Sequence, residues 1–207
     1  MLRWAGLAAA VNAATALAQL ITSAYDPDAN AAVGLLNNVA GIVWAASYVP
    51  IALLFYRVAR PQAALVSAAI FAVGLTAMAA AAGLEGARLL GALTFAQEAV
   101  AYLPVLGGIG VWLVMSEGVV ALETDWPRGP LLFGVGLGFA WFLANVFFGA
   151  GGLPTPGSTE SGNEASDLGA LLLDLGFYLQ VFWGMWLARA LFRLAGPAAP
   201  AAPRGSS

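Results

Sequence analysis

The sequence predicts an all-α polytopic membrane helix bundle: six transmembrane helices, with both termini in the cytoplasm. Three observations carry this. First, 61% of the 207 residues are hydrophobic and only 9% are charged, against about 25% charged in a soluble domain. A surface that poor in charge needs lipid to cover it. Second, six apolar stretches are each long enough to cross a hydrocarbon core, which takes about 20 residues per helix. Third, the arginines gather on alternate connections, as the positive-inside rule requires.

The first stretch covers 4–25 and carries Asn12, Thr15 and Gln19. Its start, Met-Leu-Arg before an apolar run, also suits a signal peptide. The polar residues and the length favour a span, and cleavage would leave an odd number of helices. The second stretch covers 33–56, with Pro50 near its end. The third, 63–82, is almost all small residues. The fourth, 92–115, is interrupted by Pro104 and by Gly107 and Gly108. The fifth covers 130–149 and the sixth 169–191. Residues 1–195 thus form one transmembrane domain, and the Pro-Ala-rich tail, 196–207, reads as a disordered cytoplasmic tail.

With the N-terminus inside, Arg3, Arg57, Arg60, Arg128, Arg189, Arg193 and Arg204 fall on the cytoplasmic side, and Arg88 alone falls outside. Asp26, Asp28, Glu85, Glu160, Glu164 and Asp167 fall in the outer connections. The connection 116–129, with Glu117, Glu123, Asp125 and Trp126, has the composition of a short interfacial helix ahead of Pro127. The outer loop 153–167 is turn and coil in composition. The address this implies is the cell membrane.

Missing residue types restrict the chemistry. The chain has no His and no Cys, and all eight of its basic side chains are Arg. The usual haem and zinc ligands, thiolate nucleophiles and Schiff-base lysines are therefore lacking. No cofactor and no metal is expected, and enzymatic activity is disfavoured. The net charge of −3 carries no sign of nucleic-acid binding. The expected partners are the lipid bilayer and, on one reading below, another membrane protein.

Polar side chains inside a span are costly and face the bundle interior. Counted at ~1.5 Å per residue, each helix places one such group at a common depth, ~8 Å below the outer surface. They are Gln19, the pair Asn37 and Asn38, Thr76, the pair Gln97 and Glu98, Asn145 and Asp174. A thinner layer near the midplane holds Asn12, Ser47 and Gln180. Two upper-layer groups are carboxyls, and each has a tyrosine four residues on: Tyr102 after Glu98, Tyr178 after Asp174. Residues so spaced share a helix face. Asn37, Gly41, Trp44 and Tyr48 form a comparable stripe. With no Arg expected at that depth, at least one of Glu98 and Asp174 is expected to be protonated at neutral pH or to hold a cation. The candidate pocket residues are Glu98, Asp174, Asn38, Asn145, Tyr102, Tyr178, Gln19 and Gln97.

The amides and hydroxyls also have a plain structural reading as interhelical glue, worth about 0.6 kcal/mol each. Gly134 and Gly138 make a G-x-x-x-G face, read as close helix contact inside the bundle. The dense aromatics of the last two spans, Trp141, Phe177, Trp183 and Trp186 among them, read as packing and interface belt.

The segment from Val119 to Gly138, with Glu123-Thr124-Asp125-Trp126-Pro127-Arg128-Gly129-Pro130, resembles the inner loop and fifth span of a group of small bacterial six-helix membrane proteins classed as a domain of unknown function. The ending from Phe182 to Arg193 is similar to that group's final helix, and Leu54-Phe55-Tyr56-Arg57 to the end of its second. The resemblance implies the six-helix fold and a bacterial membrane protein. It brings no activity with it.

Three functions stay open. The chain handles a small molecule, proton or cation through an outward-facing polar pocket. Alternatively, it is a non-enzymatic accessory or scaffold subunit of a membrane complex. In the third reading it is an intramembrane enzyme that uses Glu98 and Asp174 as an acid/base pair on a lipid or isoprenoid.

Overall fold

The computed structural model describes residues 1–25, 30–61, 63–151 and 164–196. Its regular elements are six α-helices: α1 Leu2–Ser23, α2 Ala31–Ala59, α3 Ala64–Leu89, α4 Phe95–Glu123, α5 Arg128–Gly151 and α6 Glu164–Leu194. Every one is long and apolar enough to cross a membrane. The all-α six-helix bundle read from the sequence is the observed fold.

Each helix packs on its neighbours in chain order, α6 closes the ring against α1, and α2 reaches across to α4. The chain therefore runs up and down, and two ends can be distinguished. One end holds the α1–α2, α3–α4 and α5–α6 connections. The other holds the N-terminus, the α2–α3 and α4–α5 connections and the end of α6. There Arg3 donates to the carbonyl of Gly196 at 3.0 Å, so the first and last helices meet. Arg57, Arg60, Arg128, Arg189 and Arg193 sit at this same arginine-rich end.

Local signals account for several boundaries. Asn30 caps α2 by accepting from Ala32 and Val33 at 3.1 and 3.2 Å. Thr94 and Gln97 form a reciprocal capping box on α4. Other boundaries differ from the sequence reading. α3 does not stop near 82 but continues to Leu89, which takes Glu85 and Arg88 out of the outer loop and into the bundle. α4 does not stop near 115. It runs to Glu123, so the expected interfacial helix in 116–129 is in its first part an extension of α4. Pro104 does not interrupt α4, which is continuous through it. Glu164 and Asp167 begin α6 rather than ending a loop. The coil expected at 153–163 and the tail from 197 lie outside the described residues.

The interior is built from large rings among small residues. Trp44, Tyr48, Trp112, Trp141 and Trp183 are fully buried. Trp44, Trp141 and Phe177, from α2, α5 and α6, pack with centroids 5.8–6.5 Å apart. Below them Tyr48 lies 5.6 Å from Trp112 and 5.9 Å from Trp183. Glycines let backbones and rings into the remaining space. A Cβ on Gly110 would stand 2.6 Å from the carbonyl oxygen of Gly138, and one on Gly138 would stand 2.9 Å from Leu113 Cβ. Gly138 therefore sets the contact between α4 and α5, the role expected of the G-x-x-x-G face. Gly138→Val forces the two backbones apart. Overpacking of this kind costs about 1–3 kcal/mol, and a corresponding loss of thermal stability in detergent is the expected measurement.

Candidate functional site

The polar residues of the bundle fall into three groups along its axis. Each is held by a different set of helices.

The uppermost group lines a cavity of about 240 Å³ at the end opposite the arginine-rich one. Glu85, Glu98 and Asp174 line it together with Gln19, Asn37 and Tyr102. Phe95, Leu103, Leu106 and Phe177 supply apolar wall and floor. Glu85 comes from the last turn of α3. Its carboxyl takes the space that a side chain on Gly41 of α2 would fill. It accepts from Gln19 Nε2 at 3.0 Å and from the Tyr102 hydroxyl at 3.3 Å, both at Oε1, while Oε2 is buried without a partner. Glu98 enters from the first turn of α4 and lies within electrostatic reach of Glu85. It accepts from Arg88 Nη1 at 3.1 Å, and both residues of this pair are buried. The Arg88 guanidinium also stacks 4.7 Å from the Phe95 ring centroid.

An arginine thus stands at carboxyl depth, where none was expected. Arg88 stays buried because Glu98 neutralises it and Phe95 covers it. The guanidinium sits behind the wall, so the lining itself carries three carboxyls and no basic side chain among the described residues.

The candidate residues divide accordingly. Glu98, Asp174, Tyr102 and Gln19 meet in this one cavity. The other four do not line it. Gln97 is exposed and spends its side chain on the backbone of Thr94 at 2.9 Å. Asn145 donates to its own helix at Trp141 O, 3.0 Å away, and packs over Gly107. Asn38 is buried, but it is Asn37 that reaches the cavity, where it accepts from Thr22 at 2.7 Å. Tyr178 is 59% exposed on the outer face of α6. Four residues advance a helix by about 400°, so Tyr178 turns outward by some 40° from Asp174, which is already at the cavity's edge. Thr76, expected in the same layer, is exposed as well.

The middle group is the midplane layer. Asn12 Nδ2 donates to Ser47 Oγ at 2.8 Å and to Trp44 O at 3.2 Å, and Gln180 donates to Asn12 Oδ1. Asn12 and Gln180 are fully buried, and Tyr48 lies beside them. Asn12 bridges α1, α2 and α6, so Asn12→Ala removes three hydrogen bonds and strands the buried Gln180 amide N–H, while Ser47 keeps its bond to Trp44 O. About 1–3 kcal/mol of destabilisation is expected, read by unfolding in mixed detergent. Ser47→Ala, which removes two bonds but leaves Asn12 its bond to Trp44 O, is expected to cost less.

The lowest group centres on Glu117, which the sequence placed in the cytoplasmic connection 116–129, outside the spans. It is fully buried in α4 and accepts from Trp183 Nε1 at 2.8 Å. A periodicity signal was available: Leu106, Gly110, Leu113, Glu117 and Val120 recur at helical spacing and are all buried.

No protein-family model matches this chain, and it finds no significant match among curated proteins or solved structures. Function therefore rests on the site.

Proposed function

We propose that this chain is a plasma-membrane protein, with both termini in the cytoplasm, that takes up a small cation or a proton through an outward-facing acidic pocket. One observation carries the reading: three carboxyls, Glu85, Glu98 and Asp174, converge on a single cavity whose lining has no basic side chain among the described residues. Ionisable groups within membrane spans are costly, and they mark ion and substrate paths. The cavity, at about 240 Å³, is smaller than sites for drug-sized ligands, which run to about 300–1,000 Å³. It suits a hydrated ion or a compact ammonium group. The orientation is supported by the arginines at the opposite end of the bundle, which the positive-inside rule assigns to the cytoplasm.

The test uses the purified chain in proteoliposomes, with tetramethylammonium and protons as probes. Glu98→Gln, Asp174→Asn and Glu85→Gln are each expected to lower tetramethylammonium binding and uptake or proton flux. Glu85→Gln and Glu98→Gln are expected to act most strongly, since Asp174 sits at the rim. Unchanged binding and flux in all three variants would exclude the reading and favour an accessory role in which the polar groups are internal glue.

A further inference from the structure

We propose that Glu117 is a second, proton-binding carboxyl, serving the arginine-rich end of the bundle as Glu85 and Glu98 serve the pocket end. The inference rests on the uptake reading above and extends it, by naming the group that would take a proton on the opposite side.

The geometry is that of a built socket. Glu117 is 0% exposed and lies 19 residues beyond Glu98 on the same helix, ~28 Å further along its axis. Three helices shape its surroundings. On α5, Gly134 leaves open the space that its Cβ would take, and the carboxyl occupies it. On α6, Trp183 Nε1 donates to Oε1 at 2.8 Å. On α2, the Tyr48 phenol is within electrostatic reach. Oε2 is buried with no hydrogen-bond partner.

A carboxylate in such a place would be a buried charge with one indole N–H and, among the described residues, no cation beside it. The desolvation cost of that state is several kcal/mol. A carboxylic acid removes the charge and places an exchangeable proton on Oε2. The Tyr48 oxygen is itself buried, beside the Asn12 and Gln180 amides. The acid proton on Oε2 can pass to an acceptor and be replaced, with no change elsewhere in the covalent structure. Tyr48 is the titratable group that faces Glu117 among the described residues, and Gly134 and Trp183 bring no charge from α5 or α6. Glu117 is six residues from the last residue of α4, ~9 Å along the axis. Exchange with the aqueous phase at the arginine-rich end is therefore over a short distance.

A purely structural carboxyl would share the indole bond, so the test needs readouts that such a role would not move. Infrared spectra of the full chain in proteoliposomes, at neutral pH, are expected to show a protonated-carboxyl C=O band that shifts in D2O and is missing in Glu117→Gln. Proton flux, followed with an entrapped pH dye under an imposed gradient, is expected to be lost in Glu117→Gln and partly retained in Glu117→Asp. Tetramethylammonium binding at the pocket is expected to survive both substitutions, whereas Glu98→Gln weakens it. Wild-type flux in Glu117→Gln, or a wild-type spectrum lacking that band, overturns the proposal. If Glu117→Gln fails to fold, Glu117→Asp and Trp183→Phe carry the test: unchanged flux and an unshifted band in both count against it. A chain that binds tetramethylammonium but carries no protons removes the proposal and leaves the pocket reading intact. If Glu85→Gln, Glu98→Gln and Asp174→Asn all alter nothing while the Glu117 band and flux behave as stated, the pocket reading falls and the Glu117 site stands.

Discussion

Arg88→Met is expected to destabilise the bundle by about 3–5 kcal/mol, the cost of removing one partner from a buried ion pair. Arg88 is 6% exposed and Glu98 is 3% exposed, with the guanidinium 3.1 Å from Oε2. Taking away the cation leaves the Glu98 carboxyl buried beside Glu85, also buried, without the guanidinium that offset its charge in a poor solvent. Adding Glu98→Gln removes the stranded charge. The double variant should therefore recover much of the loss and be more stable than Arg88→Met alone. Thermal or denaturant unfolding in detergent gives both numbers, and the double-mutant cycle gives their coupling. A single variant as stable as the parent, or strictly additive losses, would mean that the pair does not hold the pocket wall. The same comparison bears on function. If Arg88 acts as a wall residue, the double variant regains stability without regaining tetramethylammonium binding, because Glu98 stays neutral.

This ion pair also shows where the sequence was and was not legible. Six spans follow from hydropathy because every helix exposes apolar surface to lipid, and that signal needs no knowledge of neighbours. Gln19, Glu98, Tyr102 and Asp174 could be grouped because depth follows from counting along helices of alternating direction. Glu85 and Arg88 could not. A hydropathy window penalises a charge wherever it stands, so α3 reads as ending before them. What keeps them in the bundle lies on other helices: Gln19 on α1, Gly41 on α2, Glu98 and Tyr102 on α4. Their spacing of three residues, which puts them on one face, was the available clue. Glu117 failed for the same reason. Its socket is a missing Cβ on α5 and an indole on α6.

Depth alone also overcounted. Gln97 shares the level of the carboxyls but not their direction, while Thr76, nine residues below Glu85 on α3, and Asn145, against Gly107, lie deeper. A level gives the height of a residue on its helix. Which way it points depends on the rotation of that helix, and the ring packing sets that. Gln97 sits in the first turn of α4, where an amide can close a capping box. Asn145 lies against Gly107 at the α4–α5 contact. Both are local or pairwise solutions, and either one satisfies an amide without a pocket.

Trp141→Ala is the second large effect expected, and it separates the pocket from the polar network beneath it. Phe177 lies at the cavity floor, with Trp44 and Trp141 packed against it as a three-ring septum from α2, α5 and α6. Directly below, the carbonyl of Trp44 accepts from Asn12 and Ser47. Trp141 is fully buried, and its indole fills the space beside Gly176. Large-to-small replacement of a core tryptophan costs about 3–5 kcal/mol in soluble proteins, and a lower melting temperature of that order is expected here. Trp44 borders the hole and carries a buried Nε1 without a hydrogen-bond partner. A polar hole of that size draws in water, where an apolar one stays dry. Water entering there would join the pocket to Asn12, Ser47 and Gln180. Because the chain has no cysteine, Ser47→Cys gives a single reporter in an otherwise thiol-free protein. In the parent septum it should resist a membrane-impermeant thiol reagent added from the pocket side. Combined with Trp141→Ala, it should be labelled, with a matching rise in proton leak through proteoliposomes. Equal protection with and without the indole would show that the barrier between pocket and midplane lies elsewhere than in these three rings.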